Sequence, residues 1–287
     1  MSEKDTGKRV YEHLEEAMKF MGVDMSQIFG IVNVGSQNYG LDTQDSDVDT
    51  RVITIPSIED IALNKKPIST TMKLENGEQI TIVDYRLWMK QLCKQNINSL
   101  ESLFAKVSII NGNYMDIWSK LEGLGERISH LNMGKTVLAA CSLGLHKYNY
   151  IHRAYPSNEK LIAKFGYDPK SLATMFRVKD FVERYLAGET FEKCLIPIEK
   201  EHIKQIKLGK VYTAEEAKHV KEELRKEIDS IFSDILQNGV SMEEYNEKAK
   251  RLNNQDIEIT KDSIDKTMEQ MEECSIEIMK KAMRLAL

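Results

Sequence analysis

The stretch Val34-Gly-Ser-Gln-Asn-Tyr-Gly-Leu-Asp-Thr-Gln-Asp-Ser-Asp-Val-Asp49 decides how this chain folds and what it does. An apolar run from residue 28 to 34 ends at Gly35-Ser36, and ten residues separate Ser36 from Asp47. Asp47-Val48-Asp49 then opens a second apolar run, which continues to Ile55. Both runs predict short strands. The pattern therefore places a glycine-serine turn and a pair of carboxylates beside buried strands.

The acidic residues predict a metal site. Side chains alternate along a strand, so Asp47, Asp49 and Arg51 are expected on one face. A later apolar run ends at Asp84, and we expect its carboxylate to converge with the first two at one rim of the sheet. Carboxylates that close repel each other unless divalent cations lie among them. The pattern predicts two Mg²⁺ or Mn²⁺ ions, both bridged by Asp47 and Asp49, with Asp84 on one of them.

The glycine-serine turn suits a phosphate. Glycine lets the backbone approach an anion closely, and the Ser36 hydroxyl adds a hydrogen-bond donor. Tyr39 and Gly40 lie in the loop that is expected to flank a triphosphate. A lone Gly-Ser is most often a simple turn, and a lone Asp-x-Asp is most often a surface loop. The two together, each beside a predicted strand, favour in-line phosphoryl transfer with two metals.

Composition excludes several classes of protein. The 287 residues are 30% charged and 41% hydrophobic, with a net charge of -5, which favours a globular chain without a broad basic surface for nucleic acid. The start of the chain has no apolar core and no segment reaches about 18 apolar residues, so we expect no signal peptide and no membrane span. The four cysteines lack C-x-x-C spacing, which argues against a zinc site or a disulfide framework. A reducing cytoplasm is the expected location.

The order of patterns predicts an α+β fold. Strands are expected near residues 28–34, 48–55, 68–74, 79–83 and 107–110, and Asn76-Gly77 predicts a hairpin between the third and the fourth. Almost everything after residue 115 has helical spacing. We predict three parts: an α/β domain at 1–112, a helical domain at 113–212 and a C-terminal helical extension at 213–287. The extension is a candidate for a homo-oligomer contact.

Several motifs resemble a known family. Gly35-Ser-Gln-Asn-Tyr-Gly40 with Ser46-Asp-Val-Asp-Thr-Arg51 resembles the nucleotidyltransferase signature of the DNA polymerase β superfamily, and within it the predicted bacterial and phage nucleotidyltransferases. The strand ending at Asp84, the segment Asn96–Leu103 and the segment Gly166–Arg177 are similar to further motifs of that group. The resemblance covers roughly residues 28–213. Two positions depart from the family pattern: Ile97 replaces a proline and Thr174 replaces a histidine.

The resemblance implies a fold and an activity. The fold is a small mixed β-sheet core with flanking helices, followed by a helical domain that closes the nucleotide cleft. Lys170 and Arg177, seven residues apart on one helix face, are then expected to contact phosphate. Arg51 is expected either to contact phosphate or to pair with a carboxylate. The implied activity transfers a nucleoside monophosphate from a nucleoside triphosphate, preferentially ATP, to an acceptor hydroxyl with release of pyrophosphate.

The residues leave the acceptor and two alternative functions open. An RNA 3′ end, a protein hydroxyl and a small molecule all suit the predicted chemistry. A non-catalytic nucleotide sensor or partner-binding regulator on the same fold is the main alternative. A calcium-binding or purely structural module is a further alternative, but it leaves Gly35-Ser36 unexplained.

Overall fold

A computed structural model describes residues 3–43, 46–252, 254 and 258–286. The chain divides into two compact units. The first comprises the described residues of Met1–Asn38, Asp42–Leu131 and Thr260–Leu287, and the second comprises Tyr39–Leu41 and Asn132–Ile259. This division differs from the predicted boundaries, because the predicted C-terminal extension is shared between the two units.

The first unit is built on a mixed sheet of five strands in the described part of the chain, with the order β3-β4-β2-β1-β5. The strands are β1 Ile28–Val34, β2 Asp49–Thr54, β3 Ser69–Lys73, β4 Gln79–Asp84 and β5 Ser108–Ile110. β2 and β4 run parallel, while the other three neighbouring pairs are antiparallel. The predicted α+β fold class is confirmed.

Local sequence explains these strands. Six of the seven residues of β1 are buried, which is typical of a central strand covered on both faces. Asn76-Gly77 joins β3 to β4 as an antiparallel hairpin, and Gly77 has a φ of 98°, which favours glycine. Helices cover both faces of the sheet. They are α1 Glu3–Met21, α2 Ile58–Ala62, α3 Tyr85–Cys93, α4 Ile97–Leu100, α5 Met115–Gly123 and α6 Gly125–Ser129.

Two apolar layers form around this sheet. On one face, Val10 and Leu14 of α1 pack in a buried cluster with Val52 and Ile80. On the other face, Phe29 lies among aromatic rings, with its centroid 5.3 Å from that of Tyr85 and 5.8–6.1 Å from those of Tyr114, Trp88 and Trp118. Apolar side chains therefore cover both faces of the central sheet.

The second unit consists of helices. They are α7 Met133–Tyr148, α8 Glu159–Phe165, α9 Pro169–Leu186, α10 Phe191–Leu195, α11 Lys200–Lys207, α12 Ala214–Asn238 and α13 Met242–Arg251. α7, α9 and α12 pack against each other. At their crossing, a Cβ on Gly144 would lie 3.0 Å from a methyl of Val178, so the glycine allows close helix approach. The helical character predicted for this part of the chain is confirmed.

The last helix, α14 Lys261–Ala286, belongs to the first unit. Its Lys281 Nζ lies 2.6 Å from a carboxylate oxygen of Asp116, and its Glu277 accepts a hydrogen bond from Lys120 at 3.0 Å. None of the helices in the described ranges has the length and apolar character required to cross a membrane.

Candidate functional site

The glycine-serine turn and Asp49 adjoin each other, as the sequence predicts. In the β1–β2 ladder, Val34 pairs with Asp49, so the turn begins beside the first residue of β2. Gly35 has a φ of 83°, and a Cβ built on it would lie 3.8 Å from Asp49 Oδ2. The backbone of Gly35 therefore lies in the immediate neighbourhood of this carboxylate.

The loop that follows Gly35 is held by hydrogen bonds from Asn38 and Lys106. Asn38 N–H donates to the Gly35 carbonyl at 3.0 Å, and Asn38 Nδ2 donates to the Asn33 carbonyl at 3.0 Å. Lys106 Nζ donates to the Gln37 carbonyl at 3.0 Å. Residues 36–40 form turns and not the start of a helix. The anion-binding groups available here are therefore backbone and Ser36 donors, without a helix terminus.

Asp49 lies in a partly buried position. Its Oδ1 accepts a hydrogen bond from the Gln79 N–H at 3.0 Å. Burial raises the pKa of Asp49 above its ordinary value, and repulsion from Asp47 and Glu78 raises it further, while the Gln79 N–H opposes the shift. Asp47 is exposed. The two carboxylates thus interact, and a bound cation would favour the ionised form of both.

The predicted convergence of Asp84 with these acids is wrong. β2 and β4 are parallel, so Thr50 at the start of β2 pairs with Ile80, whereas Thr54 at its end pairs with Asp84. Asp84 is therefore level with Thr54, which lies five residues beyond Asp49 along β2. Five residues of strand correspond to a distance of roughly 16 Å. The two also lie on opposite faces. The sequence prediction placed the end of β4 at the start of β2, which only antiparallel strands would bring together.

Asp84 instead begins a helix. Its Oδ1 accepts from the Arg86 N–H at 2.8 Å, which caps α3, and its Oδ2 pairs with Arg86 Nη2 at 2.7 Å. Asp84→Ala is therefore expected to lower the free energy of unfolding by about 1–2 kcal/mol through loss of the cap. Urea unfolding followed by circular dichroism measures this cost. An unchanged midpoint would contradict the capping role.

Asp47 and Asp49 are the remaining carboxylates of the predicted cage. Within the described ranges, no three acidic, histidine or cysteine side chains are grouped so that they could hold a metal ion. The β4 residue beside Asp49 is Gln79, which carries an amide. Mg²⁺ is commonly bound by one or two carboxylates together with substrate phosphates and water. The pair therefore fits one such ion, and the described residues supply no third carboxylate for a second.

The basic and aromatic residues that were predicted to contact phosphate are divided between the two units. Arg51 donates to the backbone carbonyl of Asn98 and so joins β2 to the start of α4. Tyr39, Lys170 and Arg177 belong to the second unit, where the Arg177 guanidinium lies 3.9 Å from the centre of the Tyr39 ring. Lys170 is exposed in the first turn of α9. Their contacts with nucleotide stay predictions.

One feature of this site, the buried carboxylate of Glu78, was not indicated by any sequence pattern. Glu78 follows the Asn76-Gly77 turn, where a polar residue is ordinary. Its main partner, Arg9, lies 69 positions earlier in the chain. Burial alone would raise the pKa of Glu78, but hydrogen bonds from Arg9, Asn76 and the Val48 N–H lower it to about 2. Glu78 is therefore ionised at neutral pH.

Asp49→Asn is expected to stabilise the protein in the absence of metal. A carboxyl whose pKa is raised by folding contributes stability at low pH, and that contribution is lost as the pH rises above the ordinary carboxyl pKa of about 4. Asn keeps an acceptor for the Gln79 N–H without the buried charge. Urea unfolding with a chelator present should give a gain for the variant that grows from about pH 4.5 to pH 7. A gain that is constant with pH would contradict the raised pKa.

A comparison with protein families identifies the N-terminal part of the chain. Residues 7–131 match the model of the RNA repair pathway DNA polymerase beta family. The match confirms the resemblance to polymerase β-type nucleotidyltransferases for this part of the chain, and it ends where the second unit begins, at Asn132. The N-terminal part of the chain is nucleotidyltransferase-like.

Among solved structures, the chain matches a nucleotidyltransferase-like protein from Exiguobacterium sibiricum 255-15, and the two sequences are 9% identical. The alignment covers 96% of this chain and 92% of that one, with a TM-score of 0.30, a value too low to carry an argument. A search of curated proteins found no match.

Proposed function

We propose that this protein is a metal-dependent nucleotidyltransferase. It takes a nucleoside triphosphate, preferentially ATP, and transfers the nucleoside monophosphate to an acceptor hydroxyl with release of pyrophosphate. The observation that carries the proposal is the juxtaposition of the Gly35 turn with Asp49, where a Cβ on the glycine would lie 3.8 Å from the carboxylate. The family match over residues 7–131 supports the same reaction class.

The residues of the first unit have distinct tasks in this proposal. The Gly35-Ser36 backbone and the Ser36 hydroxyl bind a phosphate of the triphosphate, and Asn33 and Asn38 keep that turn in place. Asp47 and Asp49 hold Mg²⁺ or Mn²⁺, which supplies positive charge to the triphosphate and its leaving pyrophosphate. The Gln79 N–H orients the Asp49 carboxylate through its Oδ1.

An RNA hydroxyl is the acceptor that we favour. The description of the matching family mentions an RNA repair pathway, which supports RNA as our choice among the three acceptor classes. A protein hydroxyl and a small molecule remain as alternatives in the experiment. Nothing in this choice depends on a broad basic surface, since an RNA end needs only local contacts.

A non-catalytic nucleotide sensor is the second candidate function. The observation that favours it is the position of Asp84 at the far end of β4, which leaves the described site with two carboxylates and an amide at Gln79. Two carboxylates are sufficient to bind a metal-triphosphate complex. Without a third group, activation of the attacking hydroxyl has no assigned residue. The sensor therefore predicts binding without turnover.

The two functions are separated by one assay on the full chain. The protein is incubated with each α-labelled ribonucleoside triphosphate, Mg²⁺ or Mn²⁺, and an RNA oligonucleotide ending in a 3′ hydroxyl. Transfer is expected to label the RNA and to release pyrophosphate in equal amount. RNA that ends in a 3′ phosphate is the matched control, and cell-extract protein and metabolite fractions replace RNA in parallel reactions.

Each outcome has a defined meaning. Label on protein or on a small molecule would change the acceptor but keep the reaction. Tight triphosphate binding without label or pyrophosphate would support the sensor. Failure of every triphosphate to bind in the presence of metal would contradict both.

A further inference from the structure

Glu78 lies at the centre of a buried polar network beside the start of β2, the strand that begins at Asp49. Its Oε2 accepts from Arg9 Nη2 at 2.6 Å and Nε at 2.7 Å, and from Asn76 Nδ2 at 2.5 Å. Its Oε1 accepts from the Val48 N–H at 3.1 Å. Glu78 is only 8% exposed. The residue that it holds, Val48, is the one between Asp47 and Asp49.

The same network reaches the other side of Asp49. His13 of α1 is fully buried, with its Nε2 3.2 Å from Glu78 Oε2 and its Nδ1 3.0 Å from Thr50 Oγ1. Thr50 directly follows Asp49 in β2. Both chain neighbours of Asp49, Val48 and Thr50, are therefore tied to Glu78 and α1 on the face of the sheet that Asp49 does not share.

We propose that Glu78 is a positioning residue, which fixes the backbone of Asp47-Val48-Asp49 through the Val48 N–H so that the Asp49 carboxylate stays beside the Gly35-Ser36 turn. The proposal rests on the proposed metal-triphosphate site. Glu78 contacts neither metal nor substrate itself, because its carboxylate is occupied by Arg9, Asn76, His13 and Val48. Arg9 and His13 in turn hold the carboxylate in place.

Physical reasons support positioning over a direct electrostatic role. Val48 is 1% exposed, so its N–H has little access to water and depends on Glu78 as acceptor. Loss of that acceptor leaves a buried donor unsatisfied, and the strand then shifts to find another partner. A shift of about 1 Å at a site of this kind costs on the order of 10²-fold in function. A negative charge at Glu78 by itself would only add to the repulsion that Asp49 already experiences.

Three substitutions separate position from charge. Glu78→Ala removes the acceptor and the charge, and Glu78→Asp keeps the charge with a shorter side chain. Glu78→Gln keeps one acceptor oxygen for the Val48 N–H without the charge, but its amide nitrogen cannot accept from Arg9 or Asn76. The probe is the Mn²⁺ complex of ATP, titrated calorimetrically into the full chain. The positioning role predicts affinity about 10-fold weaker or more for Ala and Asp, and a smaller loss for Gln, which keeps the acceptor for the Val48 N–H.

Asp84→Ala is the matched control. Glu78 immediately precedes β4 and Asp84 ends it. Each is 8% exposed, and each pairs with an arginine. Thermal unfolding without metal measures the structural cost of each variant. Both alanine variants are expected to lose stability, but Asp84→Ala should keep wild-type affinity for Mn·ATP. A merely structural role for Glu78 does not produce this split.

The outcomes are exclusive. If the wild-type protein binds Mn·ATP and the Glu78→Ala variant binds it with the same affinity, the positioning role is overturned and the proposed function stays intact. Wild-type affinity in Glu78→Asp together with loss in Glu78→Gln would show a charge effect, which also overturns it. No binding of Mn·ATP by the wild-type protein would remove the site itself and the inference with it.

Discussion

Asp49→Asn is expected to weaken Mg²⁺-dependent triphosphate binding by about 100-fold, equivalent to roughly 2.7 kcal/mol. The substitution replaces a carboxylate ligand by an amide of the same shape. Because Asn retains an oxygen for the Gln79 N–H, the start of β2 keeps its hydrogen bond. The loss therefore reports the missing charge and not a disrupted strand. Isothermal titration of each triphosphate with Mg²⁺ measures it.

Asp84→Asn is the control that decides between two arrangements of the site. If three carboxylates met at one rim, as the sequence predicted, this variant would lose affinity as severely as Asp49→Asn. The parallel pairing of β2 with β4 predicts affinity within about 2-fold of wild type, since the two carboxylates lie roughly 16 Å apart along the strands. A loss of about 100-fold in Asp84→Asn would contradict the strand register described here.

Gly35→Ala is expected to reduce triphosphate affinity by at least about 10-fold and stability by about 1 kcal/mol. The stability cost arises because φ at this position is 83°, a conformation that alanine adopts only with strain. The loss of affinity arises because the added methyl lies 3.8 Å from Asp49 Oδ2, in the space through which a phosphate approaches the backbone. Urea unfolding and calorimetric titration measure the two effects separately.

Gly22→Ala provides the matched variant for this test. Gly22 also has a positive φ, 67°, and a Cβ there would meet no atom within 4 Å. Gly22 follows the last residue of α1 and does not belong to the turn beside Asp49. The variant should therefore show a similar loss of stability without a loss of triphosphate affinity. Equal affinity losses in both variants would mean that binding is lost through general destabilisation and not through the turn.

Local patterns in the sequence were sufficient to predict most of the elements. β1 is a continuous apolar run that ends at a glycine, and Asn76-Gly77 is a strong hairpin signal, so these features follow from near neighbours. The adjacency of Gly35 and Asp49 was also predictable. An apolar strand, a turn and a second apolar strand in close succession favour an antiparallel pair.

The direction of strand pairing was not predictable from local patterns. Whether Asp84 meets Asp49 depends on β4 running parallel to β2, which follows from the path of the chain through α2 and β3. The role of Glu78 was hidden for a similar reason, because its partner Arg9 comes from α1. Likewise, nothing in the helical spacing of α14 indicates that it packs with the first unit. These features depend on contacts between residues far apart in the sequence.

The most direct test of the proposed metal-triphosphate site is a crystal structure of the full chain grown with Mn²⁺ and a non-hydrolysable ATP analogue, with data collected at the manganese absorption edge. We expect an anomalous peak bound by the carboxylates of Asp47 and Asp49, with phosphate density on the backbone of Gly35-Ser36. A peak at Asp84, or a nucleotide bound away from the Gly35 turn, would contradict it.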